Sequence, residues 1–200
     1  FSPCVLGVNM SGNCFGDDDA CMVASRQDIM RRYYDARRRA LAGKCSEEEV
    51  YKIEMLMNQA GITVHDRPVV DAALSRAKET EAPAAALELA DGRMITGKTT
   101  DLLGPCAALL LNALKELAGI PHSQPVISPA AIEPIQTLKT QYLGSKNPRL
   151  HMDEVLIALS VSAASDPNAQ KALEQLPNLK GCQANTSVMV SDVDRKLFMK

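Results

Sequence analysis

Residues 84–99, AAALELADGRMITGKT, combine two largely apolar runs with an Asp-Gly pair between them. The runs from Ala84 to Leu89 and from Arg93 to Gly97 have the length of strands, and the second is partly β-branched. Asp91-Gly92 is a favoured turn between antiparallel strands. The stretch therefore predicts a β-hairpin.

The second half of this stretch, GRMITGKT at residues 92–99, also matches the Walker A pattern of phosphate-binding loops. Such a loop needs a flexible segment with inward-turned N–H groups, followed directly by an uninterrupted helix. Here the gap holds the strand-forming run Arg-Met-Ile-Thr, and Gly104-Pro105 interrupts the segment that should continue as helix. We favour the hairpin, and a Walker A type ATP-binding protein stays the weaker alternative.

The bulk composition predicts a soluble globular protein. Two hundred residues with 46% hydrophobic content can bury a substantial core, and the net charge of −2 gives no general attraction to nucleic acid or to an anionic membrane. No apolar run approaches the roughly 20 residues that span a bilayer. The start, FSPC, has neither an initiator Met nor a signal pattern, which favours a cut within a longer protein. We expect a cytoplasmic protein with no nucleic-acid or membrane partner.

The six cysteines show no C-x-x-C spacing, which argues against a zinc ribbon or a redox pair. Cys106 begins a helix within an apolar Ala/Leu run, where burial raises a thiol pKa. We interpret it as a core residue rather than a nucleophile. The six positions are Cys4, Cys14, Cys21, Cys45, Cys106 and Cys182.

Residues 1–62 predict an entry loop and a helical hairpin. Acidic residues 17–19 begin the first helix, and Arg37 to Arg39 lie near its end at about Gly43, as the helix dipole favours. Ser46 and Glu49 form a capping-box pattern at the start of the second helix, which Gly61 ends. We expect this hairpin to be a subdomain or a dimerisation arm.

Residues 63–200 alternate helices with a few strands, which predicts a layered α/β unit. We expect Asp66, Ser128, Asp153 and Asp166 to cap helices. Residues 105–118 predict a helix that is apolar nearly all round and therefore buried. Besides the hairpin, we predict short strands at residues 125–128 and 185–191.

Seven motifs together make a family recognisable. They are GVNM (7–10), RRYY (31–34), EEEVYKIEMLMNQAGI (47–62), DRPVV (66–70), AALELADGRMITGKTTDLLG (85–104), ALLLNALKELAGI (108–120) and NPRLHMDEVLIALSVSAA (147–164). On these motifs, the chain resembles the C-terminal part of the bacterial domain of unknown function 1846 family. The resemblance implies a three-layer αβα sandwich of cytidine-deaminase-like topology with an N-terminal helical hairpin. It also implies a longer protein, whose missing N-terminal portion would be this chain's partner.

Deaminase chemistry is not expected. It needs H-x-E or C-x-E at the start of one helix and P-C-x-x-C at the next, to bind zinc and move protons. The run PCAAL at residues 105–109 supplies neither the glutamate nor the second cysteine. We predict no metal site, and the sequence specifies no cofactor.

One candidate ligand site is the segment Gly97, Lys98, Thr99 and Thr100, which lies just ahead of a helix start. Its ammonium group, its two hydroxyls and the unpaired N–H groups of a helix N-terminus favour an anion such as phosphate. The alternative is that a threonine only caps the helix and that Lys98 is a surface charge.

The second candidate is the segment 147–154, NPRLHMDE. His151, Asp153 and Glu154 offer a base and two carboxylates for proton transfer, and Arg149 offers a cation for a ligand. The alternative is a helix with Asp153 as N-cap and acidic residues in its first turn. A third candidate is the Gly- and Asn-rich loop at residues 7–13, in which Asn9 could close over a ligand.

Two function hypotheses follow. In the first, the chain contributes an anion- or phosphate-binding cleft to an unidentified enzyme of which it is one part. In the second, it is a non-catalytic oligomerisation or ligand-sensing module. A homo-oligomer is expected in either case, and the fold class alone does not decide between them.

Overall fold

The computed structural model describes residues 18–199, which contain eight α-helices and one three-stranded antiparallel sheet. The protein is therefore of the mixed α/β class. It divides into two compact units, residues 1–67 and 68–200. The candidate loop at residues 7–13, with Asn9, lies outside the described residues.

The first unit is built on a pair of helices, α1 (Asp18–Leu41) and α2 (Glu47–Gln59). Met30, Met57 and Ile62 form its small buried cluster. The expected capping box at Ser46 is wrong, because the Ser46 side chain makes no capping hydrogen bond. Glu49 instead accepts from Arg39 of the opposite helix at 2.8 Å, since a charged donor is a stronger partner than a backbone N–H.

The expected cap at Asp66 is also wrong. Its carboxylate accepts from the Thr63 N–H at 2.8 Å and closes a 3₁₀ turn, Val64–Asp66. Helix α3 (Pro68–Thr80) begins only after this turn. It buries Val69, Val70 and Ala73 in the second unit. Asp66 therefore satisfies the backbone of its own turn, not that of the helix.

The predicted hairpin is confirmed. Strand β1 (Ala84–Glu88) pairs in antiparallel fashion with β2 (Met94–Lys98), with Ala84 opposite Lys98 and Glu88 opposite Met94. Gly92 has a φ of +83°, and Asp91 accepts from the Arg93 N–H at 3.0 Å, so both turn residues act as the sequence indicates. The third strand, β3 (Gln183–Thr186), pairs with the other edge of β1. It begins two residues earlier than the predicted strand at 185–191 and is shorter.

Helix α4 (Pro105–Leu117) lies directly on the sheet and is buried on nearly every side, as predicted. The contact is close at Gly97, where an added Cβ would lie 2.2 Å from the backbone nitrogen of Leu109. Asn112 adds a hydrogen bond from its side chain to the Thr96 carbonyl at 2.8 Å. Gly97 is therefore required for the packing of a helix backbone onto a strand.

The remaining helices of the second unit surround α4 in one hydrophobic core. They are α5 (Pro129–Thr137), α6 (Met152–Ala163), α7 (Pro167–Glu174) and α8 (Asp192–Phe198), with a π-helical turn at Leu138–Tyr142 and a 3₁₀ turn at Leu176–Leu179. Asp166 caps α7 as predicted, accepting from the Asn168 N–H at 2.8 Å. The strand predicted at residues 125–128 is wrong, because Val126 and Ile127 are buried in this core without strand pairing.

We predict that Gly97→Ala lowers the free energy of unfolding by about 3 kcal/mol, because the new methyl group overlaps the α4 backbone. Urea-induced unfolding measures the change. Gly144→Ala is the matched control: Gly144 has a φ of +71° with no atom within 4 Å of an added Cβ. It should cost about 1 kcal/mol through backbone strain alone. Equal losses in the two variants would contradict the packing explanation.

Candidate functional site

The loop after β2 is tied to the segment that precedes α6. The Thr100 hydroxyl accepts from the Leu103 N–H at 3.0 Å and holds the loop in a turn. Leu150 then binds the loop on both sides: its N–H donates to Leu102 at 2.9 Å, and its carbonyl accepts from Gly104 at 3.1 Å. Two candidate segments that are about fifty residues apart in sequence are thus joined in the fold.

Arg149 and Thr100 are the predicted ligand-binding residues that this arrangement brings together. The Arg149 Nε donates to the Thr100 carbonyl at 2.7 Å. Within the described part of the chain, Arg149 forms no salt bridge, so its positive charge is not neutralised by a neighbouring carboxylate. Its terminal guanidinium nitrogens are the most suitable anion donors of the candidate site.

The other residues of the 97–100 segment have different surroundings. Gly97 is buried against α4, which accounts for the glycine by packing. The Thr99 hydroxyl donates to the Pro83 carbonyl at 3.0 Å and holds the strand end. Lys98 is exposed at the end of β2 and, among the described residues, pairs with no carboxylate. Lys98 is therefore the second available cation.

Lys139 and Glu154 form a largely buried ion pair behind this segment. The Lys139 Nζ donates to the Glu154 carboxylate at 2.6 Å and to the Arg149 carbonyl at 2.7 Å. The same Glu154 oxygen accepts from the His151 N–H at 2.7 Å. Glu154 thus positions the main chain of residues 149–151, which is a structural reason for a carboxylate at this position.

The first turn of α6 differs from the prediction, in which Asp153 is the N-cap. The N-cap is His151, whose carbonyl accepts from the Val155 N–H at 3.0 Å. Asp153 lies two residues later, at the second helical position, and accepts from the adjacent Glu154 N–H at 2.9 Å. The reason is that Glu154, at the third helical position, reaches back to His151 and so fixes the earlier start.

Asp194 of α8 is the residue that sequence reasoning missed. Its buried carboxylate lies 3.0 Å from His151 Nδ1, and it accepts from the Met152 N–H at 2.8 Å and from the Ser191 hydroxyl at 3.0 Å. The pattern Ser191-x-x-Asp194 is the signature of a helix start and does indicate α8. No local signal links Asp194 to a histidine 43 positions earlier.

Cys106 is a core residue, as predicted. It is 1% exposed and belongs to the main hydrophobic core of the second unit. Burial, with a further contribution from the Asp194 charge, raises the pKa of its thiol to about 12. The thiol is therefore protonated at neutral pH and unsuited to nucleophilic attack.

Metal ligands do not gather at the site. In residues 18–199, no three His, Cys, Asp or Glu side chains are grouped as a metal site would require. The first-turn carboxylates of α6 are used in hydrogen bonds with the backbone.

The described residues thus define a mixed α/β protein with an ordered Arg-Leu-His segment beside its sheet. Two family models match the chain: "Domain of unknown function DUF1846, N-terminal" over residues 1–61 and "Domain of unknown function DUF1846, C-terminal" over residues 65–200. The chain belongs to the DUF1846 family.

Similar proteins come from several bacteria. A UPF0371 protein of Corynebacterium diphtheriae is 54% identical over 198 residues, and one of Corynebacterium efficiens is 53% identical over 197, each match covering 98% of this chain. A UPF0371 protein of Streptococcus pneumoniae is 47% identical over 199 residues, 100% of the chain. In each case the chain spans 40% of the relative's length. None of the helices in the described range is both long and apolar enough to cross a membrane.

We predict that Lys139→Met lowers the free energy of unfolding by about 3 kcal/mol, because it leaves the Glu154 carboxylate without its cation. This value is at the low end for buried pairs, since the Glu154 side chain keeps 25% of its surface accessible. Urea-induced unfolding measures the loss. Lys52→Met breaks an exposed pair with Glu48 and is the control, with an expected change of about 0.5 kcal/mol or less. A loss at Lys139 no larger than that at Lys52 would show that the ion pair does not stabilise the fold.

Proposed function

We propose that this chain contributes Lys98, Arg149 and His151 to the anion-binding cleft of an enzyme. The substrate class is a small molecule that carries a phosphate or carboxylate group and a proton that can be removed or delivered. The reaction type is acid-base catalysis at His151. The activity of the whole protein is part of this proposal, because the chain spans only 40% of the length of its relatives.

The observation that carries this proposal is the alternation of exposed and buried side chains around Leu150. Leu150 is fully buried in a bridge with Leu103, whereas Arg149 and His151 on either side of it are partly exposed. In extended backbone, side chains at positions i and i+2 lie on the same side. We therefore infer that the guanidinium and the imidazole lie on the same side of this segment, where one would bind an anion and the other would exchange a proton.

The Walker A alternative has less support than this cleft. Residues 94–98 of the motif are extended and paired with β1, so they do not curl around a phosphate. Lys98 stands at the exposed end of a strand, where a phosphate loop would have turned into a helix. We keep Lys98 in the proposal as a second cation, because it is exposed two residues before Thr100, whose carbonyl binds Arg149.

The proposal also includes the finer architecture. We assign residues 63–200 to a three-layer αβα unit of cytidine-deaminase-like topology, and residues 1–62 to an entry loop and helical hairpin. Two features support this assignment. The elements follow one another in the order strand, Asp-Gly turn, strand, buried helix, and both α3 and α4 pack against the sheet. The proposed partner is the rest of the full-length protein, which supplies the other wall of the cleft, and the proposed location is the cytoplasm.

Phosphate binding tests the proposal. Inorganic phosphate, added to the full-length protein at constant ionic strength, should raise its melting temperature. At ten times Kd the stabilisation is about 1.4 kcal/mol. Arg149→Gln should abolish the shift, because the guanidinium supplies the main donors. Lys146→Gln, which changes an exposed lysine in the same loop, should keep it. A shift that is absent from the wild type, or unchanged in Arg149→Gln, would refute the anion site.

A non-catalytic oligomerisation module is the second candidate, and one observation favours it. Ile157 and Val161, one turn apart on α6, are 64% and 71% exposed. Apolar side chains on neighbouring turns form a helix face that a second copy of the chain could cover in a homo-oligomer.

Under this alternative, Ile157→Glu with Val161→Glu should convert an oligomer to a monomer, because burying two carboxylates at an interface is unfavourable. Analytical ultracentrifugation of the full-length protein measures the mass. Ala130→Glu, at an exposed position of α5, is the control and should leave the mass unchanged. A monomeric wild type, or an oligomer that survives the double substitution, would count against this face.

A further inference from the structure

We propose that Asp194 is a positioning residue for His151: it holds the proton on Nδ1 and thereby leaves the Nε2 lone pair available to the substrate. This inference rests on the proposed function, since it assigns the imidazole atom that would exchange the proton. It adds a residue from α8 to a site otherwise built from the β2 loop and the start of α6.

The Asp194 carboxylate is held in place by its surroundings. It belongs to a residue that is 6% exposed, and each of its oxygens accepts a hydrogen bond from a different group. One oxygen is bound by the Met152 N–H at 2.8 Å, and the other lies 3.0 Å from both His151 Nδ1 and the Ser191 hydroxyl. The carboxylate therefore cannot follow the ring if the ring turns.

This arrangement determines which imidazole nitrogen carries the hydrogen. An ionised carboxylate only accepts hydrogen bonds, so the nitrogen that it contacts must be the donor. In the neutral ring the other nitrogen, Nε2, is then an acceptor. The pairing also stabilises the imidazolium that forms when Nε2 takes up a proton from a substrate.

Ser191 does not complete a nucleophilic triad. Its hydroxyl lies 3.4 Å from His151 Nδ1, the nitrogen that already faces Asp194. In a triad the nucleophile bonds to Nε2 while the carboxylate bonds to Nδ1. Ser191 instead donates to Asp194 and accepts from the Asp194 N–H at 3.2 Å as the cap of α8. Nε2 is thus left for a group from outside this cluster.

The His151 side chain is partly accessible and contacts a carboxylate that is buried. The His151 side chain keeps 28% of its surface exposed, whereas that of Asp194 keeps 9%. The main chain that leads into His151 is fixed as well, by Lys139 at the Arg149 carbonyl and by Glu154 at the His151 N–H. An imidazole held in this way is preorganised for proton exchange in a fixed direction.

Diethylpyrocarbonate tests the inference, because it acylates an imidazole nitrogen that is exposed and carries a lone pair. The full-length protein would be treated at neutral pH, and the rate at each histidine followed by mass spectrometry. In this chain His65 and His122, both exposed, serve as internal references. His151 should be modified in the wild type. Asp194→Asn should slow its modification about tenfold, because the amide favours the tautomer with hydrogen on Nε2.

Ser191→Ala is the matched variant, because it removes a neighbour of the carboxylate without removing the carboxylate. It should leave the rate at His151 unchanged. A rate at His151 that is the same in Asp194→Asn as in the wild type would overturn the inference. If Asp194→Asn unfolds, all three histidines become reactive and the rates no longer test the inference. The nitrogen chemical shifts of His151 in the wild type then decide. Hydrogen on Nε2 would overturn the inference, and hydrogen on Nδ1 would support it.

Neither measurement uses phosphate. The positioning of His151 and the anion site at Arg149 can therefore fail independently. If phosphate raised the melting temperature of Arg149→Gln as much as that of the wild type, the proposed cleft would be refuted, while the modification rates of the histidines could still be as expected. If His151 were modified at equal rates in the wild type and in Asp194→Asn, the role of Asp194 would be refuted, while the rise in melting temperature with phosphate could still be as expected.

Discussion

The close contact of helix α4 with strand β2 at Gly97 is the constraint on which the second unit depends. The Leu109 backbone occupies the space of a missing Cβ, so the helix can lie directly on the strand that immediately precedes it in sequence. The connection between them, residues 99–104, is consequently short and confined, and it pairs with Leu150 through two backbone hydrogen bonds. The position of Arg149 and His151 therefore follows from how closely α4 approaches the sheet.

The sequence predicts those parts of this fold whose signals are local. The hairpin follows from two apolar runs around Asp91-Gly92, and α4 follows from an apolar run of helix length. The strand predicted at Val126 and Ile127 is wrong because a short apolar run looks the same whether it pairs in a sheet or packs into a core. The capping box predicted at Ser46 and the N-caps predicted at Asp66 and Asp153 are wrong for a related reason. A short polar side chain has several donors within reach, and only the tertiary structure determines which one it binds.

The candidate site could be predicted in part. The segment 147–154 stands out by its density of charged and titratable groups, and the structure does join Arg149 of this segment to Thr100. Asp194 and Lys139 could not be found, because their partners lie 43 and 15 residues away and each is a single ionisable residue in an ordinary helical sequence. Gly97 shows the opposite difficulty: a glycine beside a lysine resembles a ligand loop, while its contacts explain it by packing.

Some charged groups of the candidate site have a partner of opposite charge in the described part of the chain and others do not, and this difference bears on the choice between an enzyme and a sensor. Glu154 is neutralised by Lys139, and Asp194 is satisfied by three donors, so both carboxylates are used within the protein. Among the described residues, Lys98 and Arg149 form no salt bridge, so in the proposed function both cations remain available to an anion. A module that only sensed the anion would gain little from an imidazole held in one tautomer, because a neutral ring adds little to anion affinity. Asp194 also binds the Met152 N–H and the Ser191 hydroxyl, but only its contact with the imidazole would set the direction of a proton transfer, and we take this contact as support for the proposed enzyme.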